Sequence, residues 1–92
     1  MKAVPDEKMV ARIAVEHVRA APIGSWSSTR GRRVLAALLR LGWVVKRTSG
    51  SHRVLSRAGW QRVVFAFADG EEIGPPMLAR IGRATGLTPY DL

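Results

Sequence analysis

One of the two histidines in this chain lies in the segment Arg47-Thr48-Ser49-Gly50-Ser51-His52-Arg53, within a strongly cationic stretch. Between His17 and Ala68 there is no Asp or Glu. The basic residues in this interval are Arg19, Arg30, Arg32, Arg33, Arg40, Lys46, Arg47, Arg53, Arg57 and Arg62. An imidazole can transfer protons near neutral pH, and a cationic surface attracts phosphate groups. These residues predict chemistry on a polyanion, with RNA as the favoured substrate.

Cleavage of RNA without a metal ion requires that the 2′-hydroxyl is deprotonated, the phosphorane charge stabilised and the 5′-oxygen protonated. His52 can provide one of the two proton transfers. Because its neighbours in the sequence are cations and no acid lies nearby, the role of general base is favoured over that of general acid. Lys46, Arg47 and Arg53 are candidates for binding the phosphate, and Ser51 either donates a hydrogen bond to it or caps the turn. No residue stands out as the acid.

The alternation of side chains along a strand limits which cations can lie beside His52. If the strand that begins near His52 is regular, Arg53 lies on the opposite face. Lys46 and Arg47 are likewise predicted to point to opposite faces, so that only one of them lies beside the histidine. Gly50 is predicted to adopt a positive φ in the turn before His52.

The composition describes a small globular protein with an anionic partner. The chain has 92 residues, 47% of them hydrophobic, which allows one domain with a modest core. Its net charge of +8 indicates a polyanionic or acidic partner. The absence of cysteine excludes disulfides, thiolate metal sites and a cysteine nucleophile.

No metal site or other cofactor is predicted, and no membrane partner. Asp69, Glu71 and Glu72 lack the spacing of a calcium-binding loop and are predicted to form a solvated loop. No apolar run is long enough for a membrane span, and the N-terminus is unlike a signal peptide. A cytoplasmic protein is expected.

The periodicity predicts a helix, a linker and then the order α-β-β-β-α. The first helix begins near Pro5, and the linker spans residues 21–31. The second helix is capped by Ser28 or Thr29 and ends near Leu41. The predicted strands are residues 43–47, 51–57 and 60–67, joined by turns at 48–50 and 58–59. A last helix begins at Pro75 or Pro76 and ends at Gly86.

The large apolar side chains of the strands are assigned to the core. In the third strand Val63, Phe65 and Phe67 share the face predicted to be buried. Trp43 and Trp60 are also expected in the core rather than stacked on bases. Trp26, although in the linker, is expected to pack against an apolar surface.

Residues 32–92 resemble the HicA family of bacterial toxins that cleave mRNA. The residues that carry the resemblance are Leu41-Gly42-Trp43, Arg47-x-x-Gly50-Ser51-His52-Arg53, Phe65-Ala66-Phe67, Pro75-x-x-Leu78-x-x-Ile81 and Thr85-Gly86-Leu87. The resemblance implies an α+β fold like that of the double-stranded-RNA-binding domain, and metal-independent ribonuclease activity with His52 as the catalytic histidine. It also implies a HicB-type antitoxin that occludes the active site. On this basis residues 1–28 are a helical extension with a linker, and residues 29–92 the RNA-binding and ribonuclease domain.

The chain departs from the family pattern in one position that bears on activity. Many family members have a second histidine at the end of the third strand, where this sequence has Ala68. The alternative function is therefore a non-catalytic RNA-binding module of the same fold. A further alternative is a protein-interaction domain whose basic face binds only an acidic partner.

Overall fold

Two α-helices and two antiparallel sheets make up residues 23–92, the part of the chain that the computed structural model describes. The helix predicted from Pro5, together with His17, lies outside these residues. The elements are β1 (Thr29–Arg30), α1 (Gly31–Arg40), β2 (Val44–Ser49), β3 (His52–Ser56), β4 (Val63–Ala66), β5 (Glu72–Ile73) and α2 (Pro75–Thr85), with 3-10 turns at Ile23–Ser25 and Pro89–Asp91. The predicted α+β class and the α-β-β-β-α order are confirmed.

The three-stranded sheet is an antiparallel meander in the order β2-β3-β4. Leu55 of β3 pairs with Val63 of β4, and both Leu55 and Phe65 are buried in the core. Val34 and Leu38 of α1 and Leu78 of α2 belong to the same buried cluster. Because side chains alternate along a strand, the helices cover one face of the sheet and leave the other open.

The start of α1 is fixed by backbone groups from a distant loop. The predicted cap by Ser28 or Thr29 is wrong, because the Thr29 hydroxyl donates to the Ser27 carbonyl at 2.7 Å instead. The N–H groups of Gly31 and Arg32 donate to the carbonyl oxygens of Glu71 and Asp69, at 2.7 and 3.0 Å. These bonds satisfy two of the four amides that a helix N-terminus leaves without an intrahelical partner.

The loop that contains Asp69 and Glu71 is itself held in place by hydrogen bonds to Ala68. Glu71 accepts a hydrogen bond from the Ala68 N–H through its carboxylate, at 3.1 Å, and donates its own N–H to the Ala68 carbonyl. A Cβ on Gly31 would collide with that carbonyl oxygen, so only glycine fits where the helix meets the loop. No cluster of metal-ligating side chains occurs among residues 23–92.

A short second sheet was not foreseen from the sequence. Thr29 pairs with Ile73 and Arg30 with Glu72, which joins β1 to β5 on the two sides of the loop at α1. The Arg30 guanidinium also donates to the Gly70 carbonyl at 2.7 Å. The polar residues before α1 and after β4 are therefore held against each other.

Trp26 and Trp43 take the buried positions predicted for them, whereas Trp60 is half-buried and packs against the core. Trp26 is buried, and its ring lies where a Cβ on Gly82 of α2 would be 2.9 Å away. Trp43 is also buried, and its Nε1 donates to the Thr85 carbonyl at 3.1 Å. The rings of Trp43 and Trp60 meet edge to face at 5.9 Å. Trp43 thus joins the start of β2 to the end of α2.

Candidate active site on the open sheet face

His52 is the first residue of β3, immediately after a two-residue turn made by Gly50 and Ser51. Gly50 has φ +59°, as predicted, whereas Ser51 has a negative φ. Positive φ at only the first turn residue is typical of a type II′ hairpin turn. The predicted turn at residues 48–50 is therefore misplaced, because Thr48 and Ser49 belong to β2. The turn fixes Ser49 directly opposite His52.

The imidazole of His52 is exposed and lies between two small side chains. His52 pairs with Ser49 on one side and with Ala66 of β4 on the other. Its position on the strand alternates with the buried Leu55, so it lies on the sheet face that the helices leave open. We call this surface the His52 face. Its residues are Val44, Arg47, Ser49, His52, Val54, Ser56, Val64 and Ala66.

A β-bulge decides which cation joins the His52 face. The pairing passes from Val45 opposite Leu55 to Arg47 opposite Val54, so that Lys46 is an extra residue without a pairing partner. Arg47 therefore shares the face of Val54 and is a diagonal neighbour of His52, within reach of a long side chain. The sequence alone left the choice between Lys46 and Arg47 open, and the register places Arg47 on this face.

Arg53 lies on the helix-covered side of the sheet, as alternation predicts. It pairs with Phe65, and its Nη2 donates to Asp69 Oδ1 at 3.3 Å. Only 20% of its side chain is exposed, and its Nη1 is buried without a hydrogen-bond partner among the described residues. Ser51 is exposed in the turn. Of the four predicted RNA contacts, pairing places only Arg47 on the His52 face.

No carboxylate accompanies His52 in strands β2 to β4. In the described part of the chain, Asp69 is paired with Arg53, and Glu71 accepts the Ala68 N–H. Asp91 accepts hydrogen bonds from the N–H and hydroxyl of Thr88, at 2.7 and 3.0 Å. Ala68 follows two residues after Ala66 and is bound through its backbone to Glu71. Within residues 23–92, His52 is thus the one imidazole on its face, and no carboxylate shares that face.

Ser49 is the site residue that sequence reasoning missed. It was assigned to the turn, yet it lies opposite the catalytic candidate. The signal was present, since Gly-Ser between two strand-like runs is typical of a two-residue II′ hairpin. Reading the turn in this way would have paired Ser49 with His52.

A comparison with protein families shows to which family this chain belongs. Residues 31–87 match the family model described as the HicA toxin of bacterial toxin-antitoxin systems, a span of more than half the chain that contains both helices and the His52 face. The chain belongs to the HicA toxin family. No curated protein and no solved structure matches it.

Membership in the HicA family fixes the broad function. The chain is the toxin of a toxin–antitoxin pair, and HicA toxins are generally ribonucleases with an RNA substrate and an antitoxin partner. Across residues 23–92, no helix has the length and apolar character needed to cross a membrane.

Proposed function

We propose that this HicA toxin is a metal-independent endoribonuclease that cleaves mRNA, with His52 as the general base. The observation that carries the proposal is the exposed imidazole between Ser49 and Ala66, with Arg47 on the same face. Small side chains on both sides leave room for a ribose and its phosphate. The nearby cation attracts that phosphate.

The reaction needs one proton acceptor and one anion-stabilising group. His52 takes the proton of the 2′-hydroxyl, the 2′-oxygen forms a bond to phosphorus, and the bond to the 5′-oxygen breaks. Arg47 stabilises the charge that develops on the phosphorane oxygens. Lys46, Ser51 and Arg53 are the further predicted RNA contacts, and Gly50 shapes the turn. The leaving 5′-oxygen takes its proton from water, which agrees with a slow enzyme.

The ends of the RNA products test this mechanism. Cleavage in the presence of EDTA is expected to continue, and to give a 2′,3′-cyclic phosphate and a 5′-hydroxyl, because the 2′-oxygen is the nucleophile. Product ends are read by mass spectrometry of a short single-stranded RNA after cleavage. Products with a 3′-hydroxyl and a 5′-phosphate, or a strict requirement for a divalent ion, would contradict the proposal.

The roles of Arg47 and Arg53 are separable by the salt dependence of RNA binding. Arg47→Ala is expected to reduce the slope of log K against log salt by about 0.7, the value for one phosphate contact on a single strand. Arg53→Ala is expected to change the slope less, because that guanidinium is bound to Asp69. The measurement is fluorescence anisotropy with labelled RNA across a salt series. An equal loss from both variants would contradict this difference and show that Arg53 binds phosphate as strongly as Arg47 does.

The partner and the place of action follow from the same proposal. The antitoxin is of the HicB type and covers the His52 face, and the mRNA substrate places the toxin in the cytoplasm. The toxin domain is assigned to residues 29–92, preceded by the extension of residues 1–28. Trp26 of that extension packs into the core cluster of the domain.

A non-catalytic RNA-binding module is the second candidate. It is favoured by Ala68 at the position of a family histidine, and by the lack of a carboxylate in β2 to β4 of the described chain. Such a module would bind RNA with a steep salt dependence and cleave none at any protein concentration. The product assay therefore separates the two candidates.

A further inference from the structure

β2 is an unusually open edge strand. Each of its six residues is exposed, whereas β4, at the other edge of the sheet, has one buried and two half-buried residues. Within residues 23–92, no strand pairs with the outer edge of β2. An exposed edge presents unpaired backbone N–H and C=O groups, which are a template for the strand of another chain.

The hairpin register identifies a backbone group that points outward. Ser49 and His52 flank the two-residue turn and form a hydrogen-bonded pair. The next pair, Thr48 with Arg53, is then a non-hydrogen-bonded pair, and the N–H and C=O of Thr48 point away from β3. Thr48 is therefore placed to bond to an added strand.

The side chains along β2 favour a partner segment that contains both apolar and acidic residues. Val44 is 53% exposed, Val45 36% and Leu39, at the end of α1, 44%, which leaves apolar surface at one end of the strand. Lys46 and Arg47 follow, and neither β2 nor β3 contains an acid. An extended segment with apolar and acidic residues matches this order. A second copy of β2 would instead place like charges together, which is unfavourable.

We propose that β2 accepts an extended, acidic segment of the antitoxin as an added edge strand. The inference rests on the proposed toxin function, since it requires an antitoxin, but it concerns how that partner binds. The added strand would lie directly beside Arg47 and Ser49. Its side chains on the His52 face would then block the approach of RNA. The antitoxin would therefore inhibit the toxin in two ways, because its added strand hinders RNA binding beside Arg47 and its body covers His52.

Two substitutions at Thr48 test the backbone contact, with the full chain and its purified antitoxin. Thr48→Pro removes the outward N–H while leaving the bonds to β3, a position where edge strands tolerate proline. It is expected to weaken antitoxin binding at least about tenfold, because an acceptor on the antitoxin loses its donor. Thr48→Val keeps the N–H and should bind within about threefold of the wild-type chain. Both variants should cleave RNA at rates close to wild type.

A second pair of variants tests the charge of the partner even if the proline variant does not fold. Val44→Glu and Val44→Lys remove the same apolar side chain and add opposite charges to the edge. Val44→Glu is expected to weaken binding at least about tenfold more than Val44→Lys, because it repels an acidic segment. Amide hydrogen exchange adds a direct readout. The Thr48 amide should exchange freely in the toxin alone and become protected in the complex.

Several results would overturn strand addition. The first is that Thr48→Pro binds the antitoxin as tightly as the wild-type chain and the two Val44 variants bind it equally well. The second is that the Thr48 amide is already protected from exchange in the toxin alone. In the second case the edge is covered by the chain itself or by a second copy, and sedimentation distinguishes these two. If the wild-type chain cleaves no RNA but Thr48→Pro still loses antitoxin affinity, the added strand is supported and the ribonuclease proposal is wrong.

Discussion

Replacing His52 with alanine is expected to slow RNA cleavage by about 10²- to 10⁴-fold, the usual contribution of one general base. The physical reason is that no carboxylate or second imidazole lies in β2 to β4 of the described chain to take over the proton. RNA affinity should change by less than about threefold, because the phosphate is bound by cations rather than by the exposed imidazole. The rate constant is measured under single-turnover conditions, so that product release does not mask the chemical step.

His52→Gln is the matched control for this prediction. Glutamine keeps a polar side chain of similar reach but cannot exchange a proton near neutral pH, so its cleavage rate should fall as far as that of the alanine variant. Because His52 is exposed at the start of β3, both variants should unfold at the wild-type temperature within a few degrees. Cleavage within about threefold of wild type in both variants would exclude His52 as the general base.

Trp43→Ala is expected to lower the free energy of unfolding by about 3–5 kcal/mol. The indole is only 2% exposed, and its loss would leave a cavity between the start of β2 and the end of α2. It would also leave the Thr85 carbonyl without its donor and remove the edge-to-face contact with Trp60. For a small domain this is a large share of the whole stability.

Substitutions at Trp43 and Tyr90 serve as controls for the Trp43→Ala prediction. Trp43→Phe keeps a ring in the core and should cost less than the alanine variant, since part of the cavity stays filled. Tyr90→Ala removes a side chain that is 95% exposed and should change stability by no more than about 0.5 kcal/mol. The measurement is urea unfolding of the full chain, with the midpoint and slope fitted together. A loss below about 1 kcal/mol for Trp43→Ala would contradict its role in the core.

The elements that were predicted correctly from the sequence are those in which apolar residues recur at helical or strand spacing. The buried Val34 and Leu38 recur at helical spacing in α1, and in β4 the buried Phe65 lies between half-buried Val64 and exposed Ala66. Gly86, with φ +81°, ends α2 where glycine favours a left-handed cap. The position of Arg53 on the face opposite His52 followed from the same alternation. These features depend on residues close together in the chain, so a local pattern is enough to find them.

The features that were missed depend on contacts between distant residues. β1 and β5 are two residues long and pair across more than 40 positions, so neither has a period of its own. The cap at Thr29 was wrong because the carbonyls of Asp69 and Glu71 already bind the first amides of α1. Regular alternation failed at Lys46, because an extra residue in one strand is visible only once its partner strand is aligned.

The extra residue at Lys46 divides β2 into two halves, and the alternation of side chains between the two faces of the sheet is reversed from one half to the other. Val45 and Arg47, two positions apart, would share a side in an unbroken strand, but here they lie on opposite sides of the sheet. Deleting Lys46 would therefore move either Arg47 to the helix-covered side of the sheet or Val45 to the His52 face. The half before Lys46 carries exposed apolar side chains, and the half after it carries Arg47 on the His52 face. A change of length by one residue, rather than any substitution, is what would exchange their orientations.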